Sequence, residues 1–235
     1  MLKTLKRIFK LDKEKFKVPK CVQDIIPVKA IWEDGIFLVG KNKYSKSYKF
    51  LDINYAVASR EDKEAMFLDY SSLLNSLDTG ATTKITINNR RINKLDFEKT
   101  ILLKDANDEL DKYRHEYNQM LINQAKDANE IVQEKIITIS VYKDSVEEAR
   151  NYFTRASTEL MNRFNTLGSK CIELNAKERL RIAHDFYRIG EETSFHFDIH
   201  ETMKKGHDFK DFICPDNAEF EKDYFMIGNR YGRAF

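Results

Sequence analysis

The stretch EKIITISVYKDSVEEARNYFTRASTELMNRFNTLGSKCIEL, from Glu134 to Leu174, decides the fold. It opens on a β-rich run, Glu134–Tyr142, in which Ile136, Ile137, Ile139 and Val141 cluster. Ser145, with Glu148 three residues on, forms a capping box that starts a helix. Val146, Ala149, Phe153, Ala156, Leu160 and Phe164 then recur at helical spacing and mark one buried stripe. Gly168 closes the helix as a left-handed cap, and Ser169–Leu174 has the composition of a short strand. The stretch is one strand–helix–strand unit.

The same pattern occurs upstream. A strand is expected over Tyr44–Tyr55; its alternation changes face between Phe50 and Leu51, which predicts a bulge or twist there. Ser59 and Asp62 form a second capping box, and Met66, Tyr70, Leu73, Leu74 and Leu77 give the helix an apolar face. Gly80 is expected to end that helix in a left-handed conformation. Thr82–Asn89 follows as a strand, with Ile85 and Ile87 inward and Lys84 and Thr86 outward. Two such units in tandem, 44–89 and 131–174, match the split βαβ, ferredoxin-like plan: an α+β fold with an antiparallel sheet.

The remaining segments attach to this frame. Val28–Trp32 and Ile36–Val39, joined by Glu33-Asp34-Gly35, read as a small N-terminal β hairpin. Residues 90–130 form a helical insert whose thin stripe (Leu110, Tyr113, Tyr117, Met120, Leu121, Ala125) predicts a projecting or weakly packed helix. Asn175 and Glu178 cap a further helix over 176–189. The organisation expected is a basic segment 1–20, an α+β domain 21–190, and an aromatic and acidic segment 191–235. The chain stops in what reads as the start of a strand, Tyr231 to Phe235, so the last segment is expected to be truncated. An unpaired terminal strand would favour self-association.

Composition narrows the function. Lys+Arg 40 against Asp+Glu 38 is too balanced for a dedicated nucleic-acid binder. The basic patch at Asn88-Asn89-Arg90-Arg91 with Lys94 is too small for a full phosphate footprint and reads as a solvated strand end. Cys21, Cys171 and Cys214 are few, odd in number and far apart, which points to reduced thiols and a cytoplasmic setting. No apolar run approaches the ~20 residues of a membrane-spanning helix.

Residues 1–20 carry eight basic side chains and two acidic ones. Leu2, Leu5, Ile8 and Phe9 recur at helical spacing, with Lys6, Arg7 and Lys10 among the cations. Two readings stand: a solvated basic tail, or a short amphipathic helix for peripheral contact with an anionic membrane or a partner, through Leu2, Leu5, Lys6, Arg7, Phe9 and Lys10.

Chemistry-bearing motifs are sparse. The phosphate-binding pattern Gly-x-x-x-x-Gly-Lys-[Ser/Thr] does not occur; Gly35 and Gly40 have the spacing, but Lys41 is followed by Asn42 and the segment is a hairpin. No dinucleotide fingerprint and no Gly-x-Ser-x-Gly occurs either, so no catalytic residue, nucleotide site or cofactor is assigned. His196, His200, His207 and Cys214 are of zinc-ligand type and lie within about 20 residues, yet their spacings match no standard finger. They read as polar residues of an aromatic loop, with a metal-dependent enzyme as the alternative. His184, on the apolar side of its helix, reads as a satisfied packing residue, and His115 as solvated.

The runs VKAIWEDGIFLVG (Val28–Gly40) and FLDINYAVASREDKE (Phe50–Glu64) resemble the N-terminal region of the conjugal transfer ATPases of type IV secretion systems, the VirB-type, TraE-like proteins of conjugative elements. EARNYF (Glu148–Phe153), HDFY (His184–Tyr187) and KGHDFKDFICPD (Lys205–Asp216) are similar to the same family. The resemblance implies an α+β domain that precedes a Walker-motif motor in the full-length family. It implies docking and assembly beside other type IV secretion subunits at the inner membrane, with no ATPase activity in this chain alone. A stand-alone protein-binding adaptor encoded by a mobile element is the alternative.

Overall fold

A computed structural model of the chain describes residues 19–53, 55–78, 80–91, 102–127 and 131–233. The central sheet contains β1 (Ala30–Ile31), β2 (Phe37–Gly40), β3 (Lys43–Phe50), β4 (Thr82–Arg91), β5 (Ile131–Tyr142) and β6 (Cys171–Glu173). The helices are α1 (Arg60–Ser76), α2 (Asp111–Asp127), α3 (Val146–Thr166), α4 (Ala176–Tyr187) and the one-turn α5 (Ile199–Thr202). A separate three-stranded sheet follows, β7 (Ala218–Phe220), β8 (Phe225–Ile227) and β9 (Arg230–Gly232), in that order.

The sheet runs β1-β2-β3-β5-β4, all antiparallel, with β6 paired to the second half of β3. The strands of the two βαβ units interleave: β5 lies between β3 and β4, and β3 lies between β5 and β6. This is the split βαβ arrangement expected from the tandem units. The chain is α+β, and its hairpin extends the sheet beyond β3.

Caps set the helix starts. The Ser59 hydroxyl accepts from the Asp62 amide at 3.1 Å, Ser145 from Glu148 at 3.2 Å, and Asn175 from Glu178 at 2.9 Å. The Asn175 cap is reciprocal, because Glu178 accepts from the Asn175 amide at 2.8 Å. Gly168, at φ +75°, closes α3 as expected. Gly80 does not adopt the left-handed conformation; α1 stops at Ser76 and leaves through an extended Leu77. No bulge lies at Phe50–Leu51. Phe50 ends β3, and the Leu51 amide donates to the Lys170 carbonyl at 3.0 Å in step with the β3–β6 pairing. The irregularity of this region falls in β2, between Leu38 and Gly40.

Each face of the sheet carries its own core. On one, Tyr44 and Tyr48 of β3 and Ile137, Ile139 and Val141 of β5 meet Leu73 of α1 and Ala149, Phe153, Leu160 and Phe164 of α3. Phe50 stacks on Phe164 with ring centroids 5.0 Å apart. On the other, Phe37 of β2 packs with Ile26, with Ala176 and Leu180 of α4, and with Phe209 and Ile213. The segment after residue 190 therefore adds side chains to a core. Burying a Leu, Ile or Phe fully is worth roughly 1.5–3 kcal/mol, so both layers hold the sheet.

The hairpin turn is locked against the second core. Gly35 has φ +78°, and a Cβ there would lie 2.0 Å from the Leu174 carbonyl oxygen. Arg179 of α4 donates to the carbonyls of Gly35 (2.8 Å) and Ser45 (2.7 Å). The Ala176 amide bonds the Glu33 carbonyl at 3.3 Å, and Arg150 of α3 reaches Asp34 at 2.6 Å. The strand expected at Tyr231 forms as β9 and is paired with β8 on one side; it is the edge of its sheet, and among the described residues no strand pairs with its other side.

Candidate functional site

Leu2, Leu5, Lys6, Arg7, Phe9 and Lys10 lie outside the described residues, as does Lys94 of the basic patch. His196, His200, His207 and Cys214 are not gathered: among the described residues no group of three or more His, Cys, Asp or Glu side chains could hold a metal ion. The physical reason is local. Phe209 and Ile213 turn into the core, leaving His200 and His207 exposed. His196 packs edge-on against Phe212 at 5.3 Å. Cys214 lies against the Pro215 carbonyl at 3.6 Å.

His184 is buried and tilted against Phe195, 5.2 Å between centroids, so its packing role holds. Its Nδ1 has no hydrogen-bond partner among the described residues. Burial, and then the nearby Arg188, push its pKa below the ordinary 6.5. His115 is exposed, with Asp105 3.6 Å away.

The buried ionisable groups are committed to structure. Glu134 of β5 accepts from Lys49 at 2.7 Å and from Arg181 of α4 at 3.0 Å. Burial opposes its charge, but the two cations outweigh that cost and hold the carboxyl below the usual carboxylate range. It is ionised at neutral pH and is no general acid. Lys46 pairs with Glu173 at 2.6 Å. Arg179 lies over the Phe37 ring, 3.9 Å from its centroid; burial pulls its pKa down to about 9, so it remains a cation at neutral pH. Burial pushes the Cys171 thiol up to about 12 and raises Cys214 as well, which keeps both protonated and unreactive.

What stands open is an apolar surface. On α1, Ser72 accepts from Arg163 of α3 at 3.1 Å, which fixes the side of the helix that meets α3. Phe67, Tyr70 and Leu74 recur at i, i+3 and i+7 on the opposite flank and are 66%, 38% and 36% exposed. Strand β4 closes the sheet on this side. Its Ile85 and Ile87 share the face of Ile137, beneath the helices, yet are 44% and 57% exposed. The expected inward placement is thus right about the face and wrong about burial. β4 is ten residues long, about 33 Å at the usual rise, and among the described residues no strand pairs with its outer edge. Such an edge beside exposed apolar side chains is a template for association.

The surface continues around the start of α1. Tyr55, Arg60, Lys63, Glu64, Phe67 and Leu68 line an open depression of about 540 Å³. Lys63 lies 5.4 Å from the centroid of the Tyr55 ring and donates to the Ala56 carbonyl at 3.3 Å. The helical insert is exposed too: Leu110, Tyr113, Tyr117 and Met120 of the α2 region all face solvent, as its thin stripe predicts. Sequence reasoning missed Phe67 and Leu68. The signal was there: Met66-Phe67-Leu68 spans about 200° of a helix, more than one face can bury.

No family model matches the chain, and no curated protein matches it. Among the described residues no helix is long and apolar enough to cross a membrane.

Proposed function

We propose that the chain is an N-terminal docking and assembly domain of a conjugal-transfer, type IV secretion ATPase of the VirB-type, TraE-like kind. It is non-catalytic on its own. It works in the cytoplasm, peripheral to the inner face of the cell membrane, and its partners are other type IV secretion subunits there. The observation that carries the reading is the exposed apolar flank of α1 together with the edge of β4, with which no strand pairs among the described residues. A folded domain whose buried acids are paired, while large apolar side chains face solvent, is built to bind and not to react. The resemblance in Val28–Gly40, Phe50–Glu64 and Lys205–Asp216 supplies the class of partner.

The exposed stripe of α2, with Tyr113, Tyr117 and Met120, favours a second reading, a stand-alone adaptor. Fractionation separates the two. The chain is produced in cells with and without the remaining transfer genes, and its share in the inner-membrane fraction is measured. Docking predicts enrichment that needs those genes and is lost in Phe67→Asp/Leu74→Asp. Equal distribution in the two cell types overturns it.

A further inference from the structure

We infer that the outer edge of β4 pairs antiparallel with β4 of a second copy of this chain, about a twofold axis at Thr86. The inference rests on reading the α1/β4 surface as a docking surface and names what covers its β4 edge, leaving the α1 flank for the transfer machinery.

The sequence of β4, Thr82-Thr83-Lys84-Ile85-Thr86-Ile87-Asn88-Asn89-Arg90-Arg91, has a centre. A twofold axis perpendicular to the sheet keeps the helix layers of both copies on the same side. Residues opposite one another must then belong to the same face, so the axis passes through a residue position. With the axis at Thr86, Ile85 of each copy opposes Ile87 of the other on the helix face, and Thr86 opposes Thr86 on the far face. Lys84 meets Asn88 and Thr83 meets Asn89, so Lys84 faces a neutral side chain. Moving the axis to Ile87 sets Ile85 against Asn89, and moving it to Ile85 sets Ile87 against Thr83, so either shift loses an apolar cross-strand pair.

The Thr86 register joins both exposed isoleucines of each copy into two apolar cross-strand pairs. These are among the pairs that stabilise sheets. It also places the exposed α1 flanks of both copies, Phe67, Tyr70 and Leu74, on one side of the joined sheet. The result is an isologous dimer with one continuous sheet.

The test combines mass and cross-linking on the full chain. Light scattering is expected to show, with rising concentration, a species of twice the 27.7 kDa chain mass. Cys21 is exposed, so cross-linking uses a Cys21→Ser background. Directly opposed residues in an antiparallel pair lie about 4.5–5.5 Å apart at Cα, within disulfide range. Thr86→Cys is therefore expected to give a reducible covalent dimer, and Thr82→Cys, which the register places far from its own copy, is not.

Ile85→Lys with Ile87→Lys changes only exposed side chains and is expected to weaken the dimer by roughly tenfold or more with the fold intact by circular dichroism. A monomer at every concentration, or equal cross-linking at 82 and 86, overturns the pairing. If the chain is monomeric but membrane enrichment still requires Phe67 and Leu74, self-pairing alone falls and docking stands. If that enrichment is also unaffected, both fall.

Discussion

The Tyr48 hydroxyl and the Ser157 hydroxyl lie 2.9 Å apart in the interior, joining β3 to α3 through side chains that are both buried. Burial raises the Tyr48 pKa well above its ordinary 10, so the phenol stays neutral and the bond is one between two neutral groups. Removing one partner strands the other. Ser157→Ala is expected to cost about 1–3 kcal/mol, and Tyr48→Phe a similar amount. The double variant is expected to lose less than the sum, because neither polar group is then left unpaired. A urea-unfolding cycle measures the coupling, and strict additivity contradicts this account.

Gly35 is fixed by conformation and by space. At φ +78°, with Leu174 backbone where a Cβ would sit, Gly35→Ala has no nearby relief. We expect a loss of roughly 3 kcal/mol, from left-handed strain of about 1–2 kcal/mol plus the backbone clash. Gly168→Ala meets no atom within 4 Å and is expected to lose only the strain. Equal Tm losses in the two variants contradict the contact with Leu174.

Acid sensitivity is expected in two stages. The His184 pKa is lowered in the folded chain from an ordinary 6.5, so the unfolded chain binds the proton first and stability falls as pH drops below 6.5. The Glu134 pKa is lowered from an ordinary 4.5; its contribution is complete above that value and is lost as pH falls through the folded value. Tm measured from pH 8 to pH 2 is expected to decline from near 6.5 and again below 4.5. His184→Phe, which keeps a ring against Phe195, is expected to remove the first stage. An unchanged slope in that variant assigns the first stage to another group.

The exposed flank carries little of the stability. Phe67→Asp changes a side chain that is two-thirds exposed and is expected to shift stability by no more than about 0.5 kcal/mol, whereas Leu74→Asp, at a position only 36% exposed and in the last turn of the helix, is expected to cost about 1 kcal/mol. Leu73→Ala, in contrast, empties a fully buried position of the same helix and is expected to cost about 2–5 kcal/mol. Thermal unfolding of the three variants checks the contrast. A large loss at Phe67 would mean that the flank is covered within the chain.

The frame was legible because its signals are local. Ser59, Ser145 and Asn175 announce helices, Gly168 ends one, and the isoleucines of Glu134–Tyr142 announce the central strand. Two strand–helix–strand units then leave few arrangements, and the split one was the expectation. Tertiary facts escaped. The face change at Phe50–Leu51 has the same signature whether the strand bulges or ends, and here it ends. Ile85 and Ile87 alternate like core residues, but alternation reports a face and not what covers it. Four metal-type residues within a short stretch carried no information on direction, and packing of Phe209 and Ile213 separated them. The open surface on α1 was half legible, in the triplet Met66-Phe67-Leu68.

The central claim is that this surface docks onto the transfer machinery. The most direct measurement is conjugation frequency in donor cells that overproduce the chain beside an intact transfer system. The account predicts that the wild-type chain lowers transfer by occupying docking positions, and that Phe67→Asp/Leu74→Asp, equally abundant and folded, does not. Unchanged transfer with the wild-type chain, or equal inhibition by both proteins, contradicts it.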